Sequence, residues 1–293
     1  MTRSDQSDGS GGRGADASNL TLRVASVAVL APVTLAATYA GGWIFLALCA
    51  FGAGGVLWEW TALVGHRSDP RILVPGWAAL LGGLVFAGVH SPNLAWGAIT
   101  VGAVLAGLAK FAWPGEEPAS TAGIWAMGGV VYAGAAFLGP ALLRGDPEWG
   151  LTALLFLFAT VWITDIFAYF CGRSIGGPLL WPSVSPKKTW SGAVGGLVGG
   201  VAAGVAVAYA NGVGKLGIIS FMALVLSILA QGGDLFESAV KRRFGAKDAS
   251  HLIPGHGGLM DRIDGFLVAA FAALLIGLVR QGTAAPARGL LVW

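Results

Sequence analysis

Charge is what this sequence has least of. Lys, Arg, Asp and Glu together make up 11% of its 293 residues, where a soluble domain carries about 25%. Cysteine is scarce too: Cys49 and Cys171 both sit in or beside hydrophobic runs and no CxxC occurs, which argues against a disulfide framework or a cysteine-only metal site. No GxxxxGK[ST] motif is present, so there is no Walker-type phosphate loop. Neither an internal repeat nor an inverted pair of broken helices of the transporter kind can be found.

What remains is apolar. Hydrophobic residues make up 55% of the chain, mean hydropathy is +0.72, and the apolar stretches approach the ~20 residues that cross a bilayer as helix. The pattern predicts an all-α polytopic membrane protein with about nine transmembrane helices, near 22–39, 42–64, 72–90, 94–113, 121–143, 150–171, 191–210, 215–233 and 264–280. Residues 1–21 read as a disordered tail, too long and too mixed in charge for a signal peptide. Residues 22–293 read as one transmembrane catalytic domain. With the N-terminus in the cytoplasm, 14 of the 18 Lys and Arg residues fall on the cytoplasmic side and 4 on the other, as the positive-inside rule requires. Both long polar connections, 172–190 and 234–263, then face the cytoplasm. The formal charge of +3 is spread in a way that points to no nucleic-acid partner.

Glycine is abundant and ordered. Gly192, Gly196, Gly200 and Gly204 recur every four residues in the seventh span, with Gly195 and Gly199 beside them. Such a face permits close helix contact, either within the chain or between two copies in a homodimer through 191–210.

The scarce charges gather in one place. Between Gly232 and Gly265 lie Asp234, Glu237, Asp248, Asp261 and Asp264, the bases Lys241, Arg242, Arg243, Lys247 and Arg262, and two histidines, His251 and His256. Ionisable groups at a membrane boundary are costly to dehydrate, so their concentration marks chemistry or an ion pathway. On a helix Asp234, Ser238 and Lys241 share a face, and a helix starting near Asp261 presents Asp261 and Asp264 together. The Pro254–Gly258 stretch between them, with His256, Gly257 and Gly258, cannot be regular helix, and its glycines let backbone N–H groups approach a ligand. Acids on two helix ends suit a hard cation such as Mg2+, which takes one or two carboxylates plus phosphate oxygens and water. The bland alternatives are that Asp261 and Asp264 merely favour the N-terminus of a helix and that Lys241-Arg242-Arg243 anchors topology. The histidines lack the further ligands a zinc site needs. Upstream, Ser185, Lys187, Lys188 and Thr189 precede a helix N-terminus and form a candidate phosphate cradle. Asp165, inside the sixth span, is a further functional candidate, or else a salt-bridge partner for Arg173.

The run Ser238–Asp264, SAVKRRFGAKDASHLIPGHGGLMDRID, with Gly233–Glu237 before it and Ser185–Trp190 upstream, resembles the signature of bacterial phosphatidate cytidylyltransferases, also called CDP-diacylglycerol synthases. The resemblance is specific over about residues 160–265. It departs at Ser191, where Glu is common, and at Gly265, where Ser is common. It implies a multi-span inner-membrane enzyme that transfers CMP from CTP to phosphatidate, giving CDP-diacylglycerol and pyrophosphate with Mg2+ as cofactor. The expected catalytic residues are Asp234, Lys241, Asp261 and Asp264. Ser185, Lys187, Lys188, Thr189, Arg242, His256, Gly257 and Gly258 would bind substrate. Metal ligands would be Asp234, Asp261 and Asp264, with Asp165 and Asp248 as further candidates. A CTP-dependent lipid-alcohol kinase is the nearest enzyme alternative. An ion-coupled transporter is the alternative of another class, although its acids should lie near mid-bilayer rather than at one side.

Overall fold

A computed structural model of the protein describes residues 28–65, 69–113, 119–250, 252 and 257–293. The expected tail, 1–21, and His256 lie outside the described residues. A short apolar helix α1 (Ala28–Ala40) leads into α2 (Gly42–Leu63), α3 (Pro70–Gly88), α4 (Pro92–Ala112), α5 (Ala119–Arg144) and α6 (Gly150–Ile175). A two-stranded antiparallel hairpin, β1 (Leu179–Trp181) and β2 (Ser185–Thr189), pairs Leu179 with Thr189 and Trp181 with Ser185. Then come α7 (Trp190–Ala210), α8 (Leu216–Arg243), α9 (Met260–Gln281) and α10 (Pro286–Leu291).

Among the described residues eight helices, α2 to α9, are long and apolar enough to cross a membrane, so this is an all-α integral membrane protein. The expected first span lies partly outside the described residues. Because successive spans alternate in direction, the connections α2–α3, α4–α5, α6–α7 and α8–α9 share one end of the bundle. The hairpin and the charged segment therefore meet there.

Local chemistry explains the helix starts. Asp69 caps α3 by accepting from the Arg71 backbone N–H at 3.0 Å, and Pro70 follows at the first helical position, where its missing N–H costs nothing. Burial disfavours the charged form of this carboxyl, but the Arg71 backbone and the Lys110 and Arg71 side chains outweigh that and hold it below the usual carboxylate range. Lys110, from the end of α4, reaches Asp69 at 3.1 Å, tying that helix end to the start of α3. At α7 the cap is Thr189, whose Oγ1 accepts from the Gly192 N–H at 3.1 Å.

The glycine face of α7 is used within the chain. Gly192, Gly196, Gly200 and Gly204 stand against Ala168, Thr164, Thr160 and Phe156 of α6, so a homodimer through this helix would have to use the opposite face, which bears Val194 and Val198. Two further expectations need correction. Helix α8 does not stop near residue 233 but continues to Arg243, because hydropathy marks where lipid ends, not where a helix ends. At about 1.5 Å per residue its 28 residues exceed a ~30 Å hydrocarbon core by roughly 12 Å, carrying its last turns into the headgroup zone. The 172–190 connection, read as loop, contains the hairpin.

Candidate active site

Helices α8 and α9 cross unusually closely beside the acids. A Cβ on Gly265 would lie 2.8 Å from the Ala230 carbonyl, and one on Gly233 would lie 2.9 Å from the Asp264 carbonyl. Glycine at both positions lets the backbones approach, which sets Asp234 and Asp264 side by side. This gives the departure at Gly265 a physical reason, since a serine there would force the helices apart.

Three carboxylates gather at the crossing. Asp165 of α6 lies within electrostatic reach of both Asp264 and Asp234, and Asp264 is in reach of Asp234. Lys188 from β2 makes an ion pair with Asp234 and is the cation that faces Asp165 and Asp264 as well. Asp165 takes no part in a hydrogen bond or ion pair among the described residues. Arg173, its suggested partner, donates instead to the Tyr169 hydroxyl at 3.2 Å. Among the described residues Lys188 is the cation set against the three acids, which leaves an excess of negative charge, a donor set of the kind hard cations seek. Among the described residues no three acidic, histidine or cysteine groups stand close enough to hold an ion unaided. An ion there needs phosphate oxygens or water to complete its shell.

A second cluster stands next to the first. Lys241 lies 2.6 Å from Asp261 and 3.1 Å from Glu237, and Glu237 is almost wholly buried. Asp261, expected to face a metal with Asp264, has its carboxylate engaged by Lys241, by the Gly258 N–H at 2.8 Å and by the Ala249 N–H at 2.9 Å. It ties α8, the α8–α9 connection and the start of α9 together. Lys241 likewise has its charge met inside the protein.

The other expected residues divide. Lys187 is exposed on the hairpin beside Lys188, and Ser185 is half-buried there. The Thr189 hydroxyl is spent on capping α7, and Ser191, in the position where Glu is common, donates to the Gly176 carbonyl at 2.5 Å and closes the base of the hairpin. Arg242 is exposed and donates to the Ala246 carbonyl at 3.4 Å. Asp248 is exposed. Gly257 adopts φ 85°, a left-handed conformation that favours glycine.

One residue of this site escapes any local reading. Glu59 of α2 is fully buried, and its carboxylate accepts from Ser250 Oγ at 2.6 Å, the Leu259 N–H at 2.7 Å and the Met260 N–H at 2.6 Å. It caps α9 from another helix, satisfying donors that every helix N-terminus leaves open with a charge the macrodipole favours. Gly258 completes the seat, since a Cβ there would lie 2.9 Å from Glu59 Oε1. The signal in the sequence is an acid inside a spanning run, itself a reason for suspicion.

Comparison with known proteins points the same way. Residues 21–279 match the family model described as the cytidylyltransferase family. A Brucella abortus protein named phosphatidate cytidylyltransferase is 42% identical over 266 residues, covering 89% of this chain and 94% of that one. A protein of the same name from Brucella melitensis is 41% identical over the same length. One from Staphylococcus haemolyticus is 39% identical over 139 residues, 47% of this chain and 52% of its own. The family match takes in the hairpin, the α8–α9 crossing and Glu59 alike, and the chain belongs to the cytidylyltransferase family.

Proposed function

We propose that the protein is a phosphatidate cytidylyltransferase that moves CMP from CTP to phosphatidate, releasing pyrophosphate and forming CDP-diacylglycerol. The observation that carries this reading is near-full-length similarity to proteins of that name, which takes in every element of the acid–lysine site. Nothing in that site favours the kinase or the transporter.

The reaction makes modest demands on proton transfer. A phosphate monoester with a second pKa near ~6 is largely dianionic at neutral pH. Its oxygen attacks the α-phosphorus of CTP as the bond to the bridging oxygen of pyrophosphate breaks. The obstacle is repulsion between two anions, so positioning and countercharge do most of the work. Lys188, with exposed Lys187 beside it, supplies cationic charge from the hairpin. Asp234 and Asp264, with Asp165 as third, would hold Mg2+, which when bound neutralises phosphate charge. Asp261 and Glu237 hold Lys241, and Asp261 also holds the backbone at Ala249 and Gly258, so this group fixes the frame on which Asp264 stands.

Lys188→Ala should raise the KM for CTP about tenfold or more, the scale of a lost hydrogen bond to a charged group. Lys187→Ala should do less. Near-normal kinetics in the double variant would reduce the hairpin lysines to a topology anchor. The overall reading is tested by pyrophosphate release from CTP and Mg2+ on addition of phosphatidate. Release that needs no phosphatidate, or none at all, would sink it.

We further place the site on the cytoplasmic face of the inner membrane, supported by the bias of Lys and Arg toward that end and by the location of nucleotides. Single cysteines introduced at Lys187 and Lys247, in a background with Cys49 and Cys171 replaced, should resist an impermeant thiol reagent in intact cells and react in inverted vesicles. Ready labelling in intact cells overturns the orientation.

A further inference from the structure

An apolar groove of about 360 Å3 runs along α5 where it meets α2 and α8, inside the ~300–1,000 Å3 range of small-ligand sites. Its walls are aromatic, formed by Trp60, Trp125, Tyr132 and Phe236, with Gly128 among the residues between them. Ile124 and Val131, 67% and 49% exposed, leave it open toward lipid. We propose that this groove seats one acyl chain of the phosphatidate substrate, with the Tyr132 hydroxyl donating a hydrogen bond to the adjoining glycerol ester. The proposal rests on the cytidylyltransferase reading above.

Continuity with the acidic site is the first support. Phe236, one wall of the groove, lies between Asp234 and Glu237 in α8. The second is Tyr132 itself. Its ring packs 5.1 Å from Trp60 and 6.2 Å from Phe236. Its hydroxyl is buried, has no hydrogen-bond partner among the described residues, and lies within electrostatic reach of Glu237 and Asp264. Buried tyrosine hydroxyls normally find a partner, so this one stands ready for a ligand atom. The third is the Arg243 guanidinium, 5.6 Å from the Trp125 ring, which places a cation at the headgroup end. A cation, an unmet hydroxyl and an aromatic channel gathered on one groove fit an anionic, ester-linked lipid.

A second groove, about 430 Å3 between α7 and α8 and lined by residues such as Val198, Val201 and Phe221, offers a contrast. Its Ser220 hydroxyl is already bonded to the Leu216 carbonyl at 2.8 Å, so nothing polar waits there. Because bilayer chains are as apolar as either groove, seating brings little hydrophobic gain. The benefit is orientation, fixing the path by which the lipid phosphate reaches CTP.

Two variants and a label test this. If the Tyr132 hydroxyl were idle, Tyr132→Phe would be neutral or stabilising, because it removes an unpartnered buried group. We expect thermal stability likewise unchanged or raised and CTP KM unchanged, but the KM for phosphatidate raised about three- to tenfold. Gly128→Leu should fit, since its Cβ meets Trp60 at an ordinary 3.6 Å, and should block the groove. It should lower kcat/KM about tenfold more for dioleoyl than for dihexanoyl phosphatidate, given that ~1 Å misplacements can cost on the order of 100-fold. In the wild type, phosphatidate with a diazirine in mid-chain should label residues 124–135, displaced by unlabelled phosphatidate but not by phosphatidylcholine. Wild-type kinetics in Tyr132→Phe, equal losses on both substrates in Gly128→Leu, labelling at α7–α8, or displacement by phosphatidylcholine as readily as by phosphatidate each overturns the proposal. An inactive wild type would refute the enzymatic reading, while the label would still report on the groove.

Discussion

Asp264→Asn is expected to fold, to insert, and to lose at least about 100-fold in kcat, the scale at which removal of a charge-stabilising group acts. The carboxylate stands among Asp165, Asp234 and Glu237, and Lys188 is shared between it and the first two, so neutralising it relieves more repulsion than it loses attraction and should leave the melting temperature unchanged or raised. The hydrogen bond that it accepts from the Gly265 N–H at 2.7 Å survives in the amide. Residual activity should need more Mg2+. Asp261→Asn makes the opposite case. It strips Lys241 of one partner, and stability should fall by about 1–3 kcal/mol, below the ~3–5 of a fully orphaned ion because Glu237 remains. Thermal melts and Mg2+ titrations of the two variants separate the roles. Equal stability loss with an unchanged Mg2+ requirement would return both acids to helix-terminal structure.

Glu59→Ala should be the most damaging change outside the acid cluster. It leaves the Leu259 and Met260 N–H groups and the Ser250 hydroxyl without their acceptor, at about 1–3 kcal/mol for each buried orphan. The start of α9 carries Asp261 and Asp264, so activity should fall with stability. Glu59→Gln keeps one acceptor oxygen and should recover part of both. Melting temperature and kcat measured on the same detergent preparations decide the point. A Glu59→Ala protein with wild-type values for both would show that α9 is held from elsewhere.

Sequence and structure agree most where chemistry is local. The greasy runs become spans, the glycine row becomes a helix contact face, and Asp261 and Asp264 open a helix as their spacing predicts. Asp234 and Lys188 lie in separate stretches of the sequence, and the fold joins them in an ion pair. What could not be read is non-local. Glu59 precedes Met260 by about two hundred residues, and no periodicity pairs them. The partner of the glycine face was undecidable until α6 was placed. The end of α8 was misplaced because its last turns stay helical through pairs such as Glu237–Lys241, four residues apart, after the hydrophobic signal has ceased. The hairpin was missed because three- and five-residue strands with a proline among them fall below any pattern threshold. The bonds of Asp261 were out of reach for a related reason: spacing places two carboxylates on one face but does not reveal which backbone amides will meet one of them.

If the acid–lysine site at the α8–α9 crossing transfers a cytidylyl group to a lipid phosphate, the phosphorus that moves is the α-phosphorus of CTP. The most direct measurement follows the label from CTP carrying phosphorus-32 at either the α or the γ position, incubated with phosphatidate, Mg2+ and purified protein. Label from the α position should enter the lipid fraction in step with pyrophosphate release, and label from the γ position should leave entirely as pyrophosphate, with both signals lost in Asp264→Asn. Lipid labelled from the γ position would identify a kinase, and α-transfer that survives Asp264→Asn undiminished would contradict the site.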